Sequence, residues 1–223
     1  MTHCLIKLTV NRNVYLLDFT VDYISQNLSI PNIAEPTPSI FIGGWLIIQK
    51  NVPDQDSIFN GSWFEYRNGF GDPAGKYFWL GNEKLYQLMT TGNWKLRVEV
   101  KSNDTGAWYS AEYESFRLSN EAGNYTLNVS GYIGDAGDAY EVVEQAVWKV
   151  NGMQFSTFDS DNDKDSTGNC ALNQGGGWYQ KCGTSSLNAF LGTGNYMYWG
   201  TLKILGLSPS RYVASSRMMI RRN

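Results

Sequence analysis

The stretch Phe155–Cys182, FSTFDSDNDKDSTGNCALNQGGGWYQKC, is the one place in the chain where carboxylates, glycines and cysteines crowd together. Asp159, Asp161, Asp163 and Asp165 alternate there with Ser160, Asn162 and Lys164. Carboxylates that close repel one another in a folded chain, and a hard, oxygen-seeking cation such as Ca²⁺ relieves the repulsion. An EF-hand loop opens in the same way but needs Gly at its sixth position and Glu at its twelfth. Counted from Asp159 these positions hold Lys164 and Cys170, and counted from Asp161 they hold Ser166 and Leu172, so this is a different loop. A solvated acidic turn without a cation is the alternative at this point.

Cys170 and Cys182 enclose residues 171 to 181, which contain the turn run Gly175-Gly176-Gly177 followed by Trp178 and Tyr179. A disulfide closing that loop stabilises by about 2.5–3 kcal/mol on a chain-entropy estimate. Zinc is the competing reading of two cysteines, but no histidine and no second cysteine pair lies nearby to complete four ligands. The disulfide is favoured.

Working outward, further segments carry a pattern: GGWLIIQK at Gly43–Lys50, WFEYRNGFGDPAGKYFWLGNEKLYQL at Trp63–Leu88, LRVEV at Leu96–Val100, and NYTLNVSGYIGDAGDA at Asn124–Ala139. SSLNAFLG follows at Ser185–Gly192, and RMMIRR lies at Arg217–Arg222. Together with FSTFDSDND, GNCA and GGGWYQKC, these segments resemble a fibrinogen-related domain, the module of fibrinogen chains, ficolins, tachylectins, angiopoietins and tenascins. The resemblance covers about residues 43–223. It implies an α+β fold: a central antiparallel sheet with short helices over about 43–137, and a loop-rich calcium and ligand subdomain over about 138–223. Residues 1–42 fall outside it as a divergent or truncated N-terminal segment, because no cysteine between Cys4 and Gly43 completes the family's first disulfide. Cys4 is then free or paired with another chain.

Carried over residue by residue, the resemblance implies that Asp161 and Asp163 bind Ca²⁺ through their carboxylates and Asp165 through its carbonyl. A further carbonyl comes from Thr167 or Gly168, and Asp159 stands outside the ligands, acting through water. It also implies a small-ligand pocket between this loop and the disulfide, formed here by Asn173, Lys181, Cys182, Gly183, Tyr196 and Tyr198. A cis Lys181–Cys182 peptide would help shape that pocket, and Trp199 is expected in the core. The pocket departs from better-known members: Gly183 stands where histidine is frequent, and Asn173 and Gln174 replace an acidic pair.

Composition sets the outer bounds. At 223 residues and 42% hydrophobic content the chain can bury a sizeable core. Its 23 glycines, 8 tryptophans and 14 tyrosines suit many tight turns with large flat side chains between loops. A formal net charge of −3 offers no basic field for nucleic acid. No apolar run is long enough for a membrane span. The single histidine, His3, leaves no material for His-based nucleophilic catalysis. Leu5–Val10 and Val14–Phe19 read as two strands joined at Asn11-Arg12-Asn13, and Ile30–Pro38 reads as an extended linker. MTHCLIKLTVNRNVYLLDF lacks the basic start and small-residue cleavage site of a signal peptide. Trp63–Phe70 has helical spacing before a Gly71-Asp72-Pro73 stop, and a second helix runs from Gly81-Asn82-Glu83 to Leu88. Trp94–Val100 and Ala107–Phe116 alternate as antiparallel strands around a Ser102–Gly106 turn, and Tyr125–Val129 continues the sheet. Five Asn-x-Ser/Thr patterns begin at Asn27, Asn60, Asn103, Asn124 and Asn128, with Asn60 and Asn103 in turns.

The expectation is a secreted, extracellular, non-catalytic lectin of innate recognition, stabilised by calcium and binding acetylated or related carbohydrate groups on a glycoprotein. The alternative is a protein-binding module of the receptor-ligand or matrix type, without sugar binding. Assembly with further copies of the chain is compatible with either.

Overall fold

The computed structural model describes residues 4–10, 13–19, 41–52, 58–141, 149–190 and 196–223. The chain divides into two compact units, Met1–Thr37 and Pro38–Asn223. In the first, β1 (Cys4–Val10) and β2 (Asn13–Phe19) pair antiparallel from Cys4↔Phe19 to Val10↔Asn13, as the alternation and the Asn-rich turn predict. The Ile30–Pro38 linker and the partner of Cys4 lie outside the described residues.

In the second unit, β3 (Phe41–Ile42), β4 (Trp45–Asn51), β5 (Phe70–Gly71), β6 (Tyr77–Trp79), β7 (Trp94–Ser102), β8 (Trp108–Leu118) and β9 (Leu127–Gly134) join one sheet with the last strand of the chain. That strand runs Val213–Arg222, and the order across the sheet is β5-β6-β4, the C-terminal strand, β7-β8-β9, with β3 on β4. The terminal strand sits between β4 and β7 and pairs antiparallel with both.

Period-two chemistry explains the sheet. Along β7, Trp94, Leu96, Val98 and Val100 are buried, while Lys95, Arg97, Glu99 and Lys101 stand on the wetter side. Each fully buried Leu or Val contributes about 1.5–3 kcal/mol. The ion pairs on the other face, such as Arg97–Glu99 at 2.7 Å, contribute about 0–1 kcal/mol each. Burial therefore decides which face is inside.

Two helices close over one end. α1 (Trp63–Asn68) begins with a capping box: Ser62 Oγ accepts from the Glu65 amide and Glu65 Oε2 accepts from the Ser62 amide at 2.8 Å. It ends at Gly69, earlier than the Gly71-Asp72-Pro73 expectation. Gly69 has φ 92°, and a Cβ there would lie 2.3 Å from the Leu80 carbonyl. α2 (Asn82–Thr90) buries Leu85, Leu88 and Met89. Tyr66, Phe70, Trp79, Phe155 and Trp178 pack edge-to-face or tilted beneath them, with centroids 5.0–6.1 Å apart. β9 starts two residues later than Tyr125–Val129 implies, because Asn124 and Tyr125 both take positive φ in the turn after residues 121–123.

Beyond β9 the regular pattern ends. Among the described residues, two-residue strands, β10 (Phe155–Ser156), β11 (Gly177–Trp178), β12 (Ser185–Ser186) and β13 (Tyr198–Trp199), and one-turn helices, α3 (Ala171–Gln174) and α4 (Thr201–Ile204), precede the terminal strand, β14. No helix among the described residues is long and apolar enough to cross a membrane.

Candidate functional site

The acidic loop leaves β10 and folds as a staircase of side-chain-to-backbone bonds. Asp161 Oδ1 accepts from the Asp163 amide at 3.3 Å, and Asp163 Oδ1 accepts from the Asp165 amide at 2.8 Å. Asp165 Oδ1 accepts from the Thr167 amide at 3.1 Å and from its hydroxyl at 2.6 Å. Short Asp side chains favour such local bonds two residues on. The second oxygen of Asp163 accepts from the Cys170 amide at 2.8 Å, which ties the loop to the sulfur bridge.

Asn162 locks the loop from behind. Its amide group donates to the Phe155 carbonyl at 2.8 Å, and its Oδ1 accepts from Asn124 Nδ2 at 3.0 Å. Asp159 stands apart from the other three acids: it accepts from the Trp63 amide at 2.8 Å and from the Thr157 hydroxyl at 2.7 Å. A carboxylate at the first turn of α1 is favourably placed against the helix dipole, so Asp159 joins the loop to α1.

The charges in the loop are not equivalent. Burial pushes the Asp163 carboxyl above the ordinary carboxylate range; the Cys170 and Asp165 amides oppose this and neighbouring Asp161 adds to it. The Thr167 hydroxyl and amide hold Asp165 below that range. Asp161, Asp163, the Asp165 carbonyl and the Thr167 carbonyl are all hard oxygen donors. Both Asp163 oxygens keep a lone pair beyond the amides they accept from, so the donor set fits Ca²⁺.

Cys170 and Cys182 are joined as a disulfide, with Cα atoms 5.1 Å apart. Their sulfurs are therefore unavailable as thiolates, although Asp165 lies beside them. Gly175 (φ 70°) allows the chain to pass the Asn188 carbonyl, which a Cβ would meet at 2.2 Å. No peptide bond among the described residues is cis, so Lys181–Cys182 is trans. Consecutive left-handed residues follow it, Cys182 at φ 58° and Gly183 at φ 69°.

The expected pocket residues divide into two groups. Tyr198 is only 6% exposed; its hydroxyl donates to the Cys182 carbonyl at 2.7 Å and lies 2.9 Å from Gln174 Oε1. Arg211 covers its ring at 4.5 Å. Burial first, offset by Arg211 and Gln174, moves its hydroxyl pKa up to about 12. Tyr198 is thus a buried strut between α3 and the disulfide. Tyr196, 54% exposed, packs against Tyr212, 38% exposed, with ring centroids 5.0 Å apart. Asn173 and Lys181 are exposed and Gly183 half-buried. Trp199 is fully buried, as expected, and donates to the Gly137 carbonyl at 3.1 Å.

Sequence reasoning missed the polar group beneath this face. Gln49 Nε2 donates to the Leu187 carbonyl at 3.0 Å, to Asn188 Oδ1 at 3.1 Å and to Ser216 Oγ at 3.0 Å, all buried. Asn51 Nδ2 reaches the Leu187 and Ala189 carbonyls, and Asn188 Nδ2 reaches the Gly176 carbonyl at 2.8 Å. The only signal was a glutamine and an asparagine at the end of an apolar strand.

Comparison with known proteins agrees with this architecture. Residues 40–221 match the family model described as "Fibrinogen beta and gamma chains, C-terminal globular domain". Bovine angiopoietin-4 is 35% identical over 87% of this chain and 39% of its own length. The first curated relatives are matched over only 35 to 51% of their length. The fibrinogen-like globe domain of human ANGPTL6 superposes with TM-score 0.70 at 32% identity, over all of this chain and 90% of that one. Lamprey fibrin D-dimer, solved with the peptide Gly-His-Arg-Pro-amide, superposes with TM-score 0.70 at 26% identity, over 99% of this chain and 69% of that one.

Proposed function

Because the chain belongs to the fibrinogen C-terminal domain family, we propose that it is an extracellular, non-catalytic recognition module that binds a protein partner through its loop-rich face. One observation carries this reading: Tyr198, a residue expected to wall a sugar pocket, is buried and bonded internally. Tyr196, Tyr212 and Arg211 beside it are exposed. Tyrosine and arginine are the side chains enriched at protein interfaces, where large rigid rings bury area at small entropic cost. The relatives found, angiopoietin-4 and the ANGPTL6 globe domain, and the peptide held by lamprey fibrin, support a protein or peptide ligand over an acetylated sugar.

In this reading Ca²⁺ is structural. Asp161 and Asp163 would hold it with their carboxylates, and Asp165 and Thr167 with their carbonyls, and once bound there it would neutralise the acidic loop. This chain's own residues do the rest: Asn162 and Asn124 hold the loop's shape, and Asp163 transmits it to Cys170. Calcium should raise the melting temperature in proportion to the logarithm of its concentration, and magnesium should do so far less.

The partner's class is tested by binding the labelled domain to cultured cells in calcium. Binding should disappear after the cells are treated with trypsin and survive treatment with glycosidases. The opposite pattern, with competition by N-acetylglucosamine, would return the site to the lectin reading.

A further inference from the structure

We propose that Asn103 is an N-glycosylation site, and that its glycan rises beside the Tyr196–Tyr212 pair and limits access to that surface. The tripeptide Asn103-Asp104-Thr105 occupies the tip of the β7–β8 hairpin, where every residue from 103 to 108 is exposed. The tip is nonetheless well fixed. The Thr105 amide donates to Ser102 Oγ at 3.2 Å, the Gly106 amide to the Ser102 carbonyl at 3.0 Å, and Ser208 Oγ and the Ser210 amide to Asp104 Oδ2, each at 2.9 Å. The Asn103 amide donates to the Tyr212 carbonyl at 3.0 Å, so the stem of any glycan begins one backbone bond from Tyr212.

The other described sequons are less open. Asn60 is exposed but flanked by buried Phe59 and Gly61, and its Ser62 hydroxyl donates to Glu65 Oε2 at 2.8 Å. Asn128 projects from β9 between buried Leu127 and Val129, opposite Arg117. The amide nitrogen of Asn124 is already committed to Asn162 behind the acidic loop. The disulfide between Cys170 and Cys182 is of the kind that forms in an oxidising compartment, where the modification also takes place.

Chemically, Asn103 Nδ2 attacks the first sugar carbon of a lipid-pyrophosphate-linked oligosaccharide. An N–C bond forms, the C–O bond to the pyrophosphate breaks, and one amide proton is lost. A large solvated chain attached there excludes macromolecules from the adjoining tyrosines without touching the acidic loop.

The test is to secrete the chain from a eukaryotic culture and map glycopeptides, with enzymatic release in heavy-oxygen water to mark occupied asparagines. The expected result is label at 103 and none at 124. Iodination of Tyr196 and Tyr212 should be several-fold slower in the glycosylated protein than in Asn103→Gln or Thr105→Ala. An unmodified Asn103 in the folded, secreted protein would overturn the site, and equal iodination rates would overturn the shielding. Both measurements are made without a partner, so they stand apart from the protein-binding reading.

Discussion

The sheet and the loop-rich region after β9 lie in one compact unit but are held together by different means. In the sheet, backbone bonds run in ladders, and stability comes from alternate side chains such as Leu96, Val98 and Val100. Past β9, several backbone groups are paired one by one with side chains far away in sequence. Asn51 Nδ2 donates to the Ala189 carbonyl at 3.2 Å, Trp199 Nε1 to the Gly137 carbonyl at 3.1 Å, and Gln49 Nε2 to the Leu187 carbonyl at 3.0 Å. Buried backbone groups need partners wherever regular structure does not supply them. A surface built this way can take an irregular shape, and each of its side-chain struts is individually costly to lose.

Trp199→Ala should have the largest effect, about 3–5 kcal/mol in urea unfolding, because it opens a cavity against Tyr140 and takes the indole donor from the Gly137 carbonyl, while Ala136 keeps the Thr201 hydroxyl. A loss below 1 kcal/mol would mean that the loop region is not packed as a second core. Replacing Cys170 and Cys182 together by Ser should cost about 2.5–3 kcal/mol. Hydrogen exchange should then rise in residues 160–182 while β7 and β8 amides stay protected; uniform loss would erase the contrast between the regions.

Gln49→Leu tests the seam between them. It keeps the apolar bulk of β4 but removes the donor shared by Leu187, Asn188 and Ser216, at about 1–3 kcal/mol. Ser62→Ala, which removes a purely local cap, should cost about 1 kcal/mol.

The smallest expected effect is on pH dependence. Asp163 is held above its ordinary carboxyl value, so folding favours its protonated form. Its contribution is present below the ordinary pKa and is lost as pH rises through the raised value. In chelator, Asp163→Asn should therefore lose less stability than the parent between acidic and neutral pH, and should lose the calcium response. Parallel melting curves for the two proteins would remove the acidic strain assigned to the loop.

Much of the sheet was legible because period-two alternation is a property of neighbours in sequence. β7 and β8 followed directly from it, and α1 followed from the helical spacing of Trp63, Tyr66 and Phe70. α1's end was misplaced because its stop depends on how close Gly69 comes to Leu80, a contact made only after folding. The acidic loop and the disulfide were legible because their residues are clustered in the chain. The cis Lys181–Cys182 expectation failed because a turn can be made by several backbone routes, and here Cys182 and Gly183 take the left-handed one.

By itself the amino-acid sequence determined the family, the strands that alternate, the capped helix and the two cysteines that pair, since each rests on residues a few positions apart or on one run of them. Tertiary structure alone decided that Tyr198 is a strut while Tyr196 faces solvent, that Gln49 and Asn188 share a buried network, and that the last strand lies between β4 and β7. Those outcomes depend on which distant backbone groups need a partner once the chain has closed, and no local pattern encodes that.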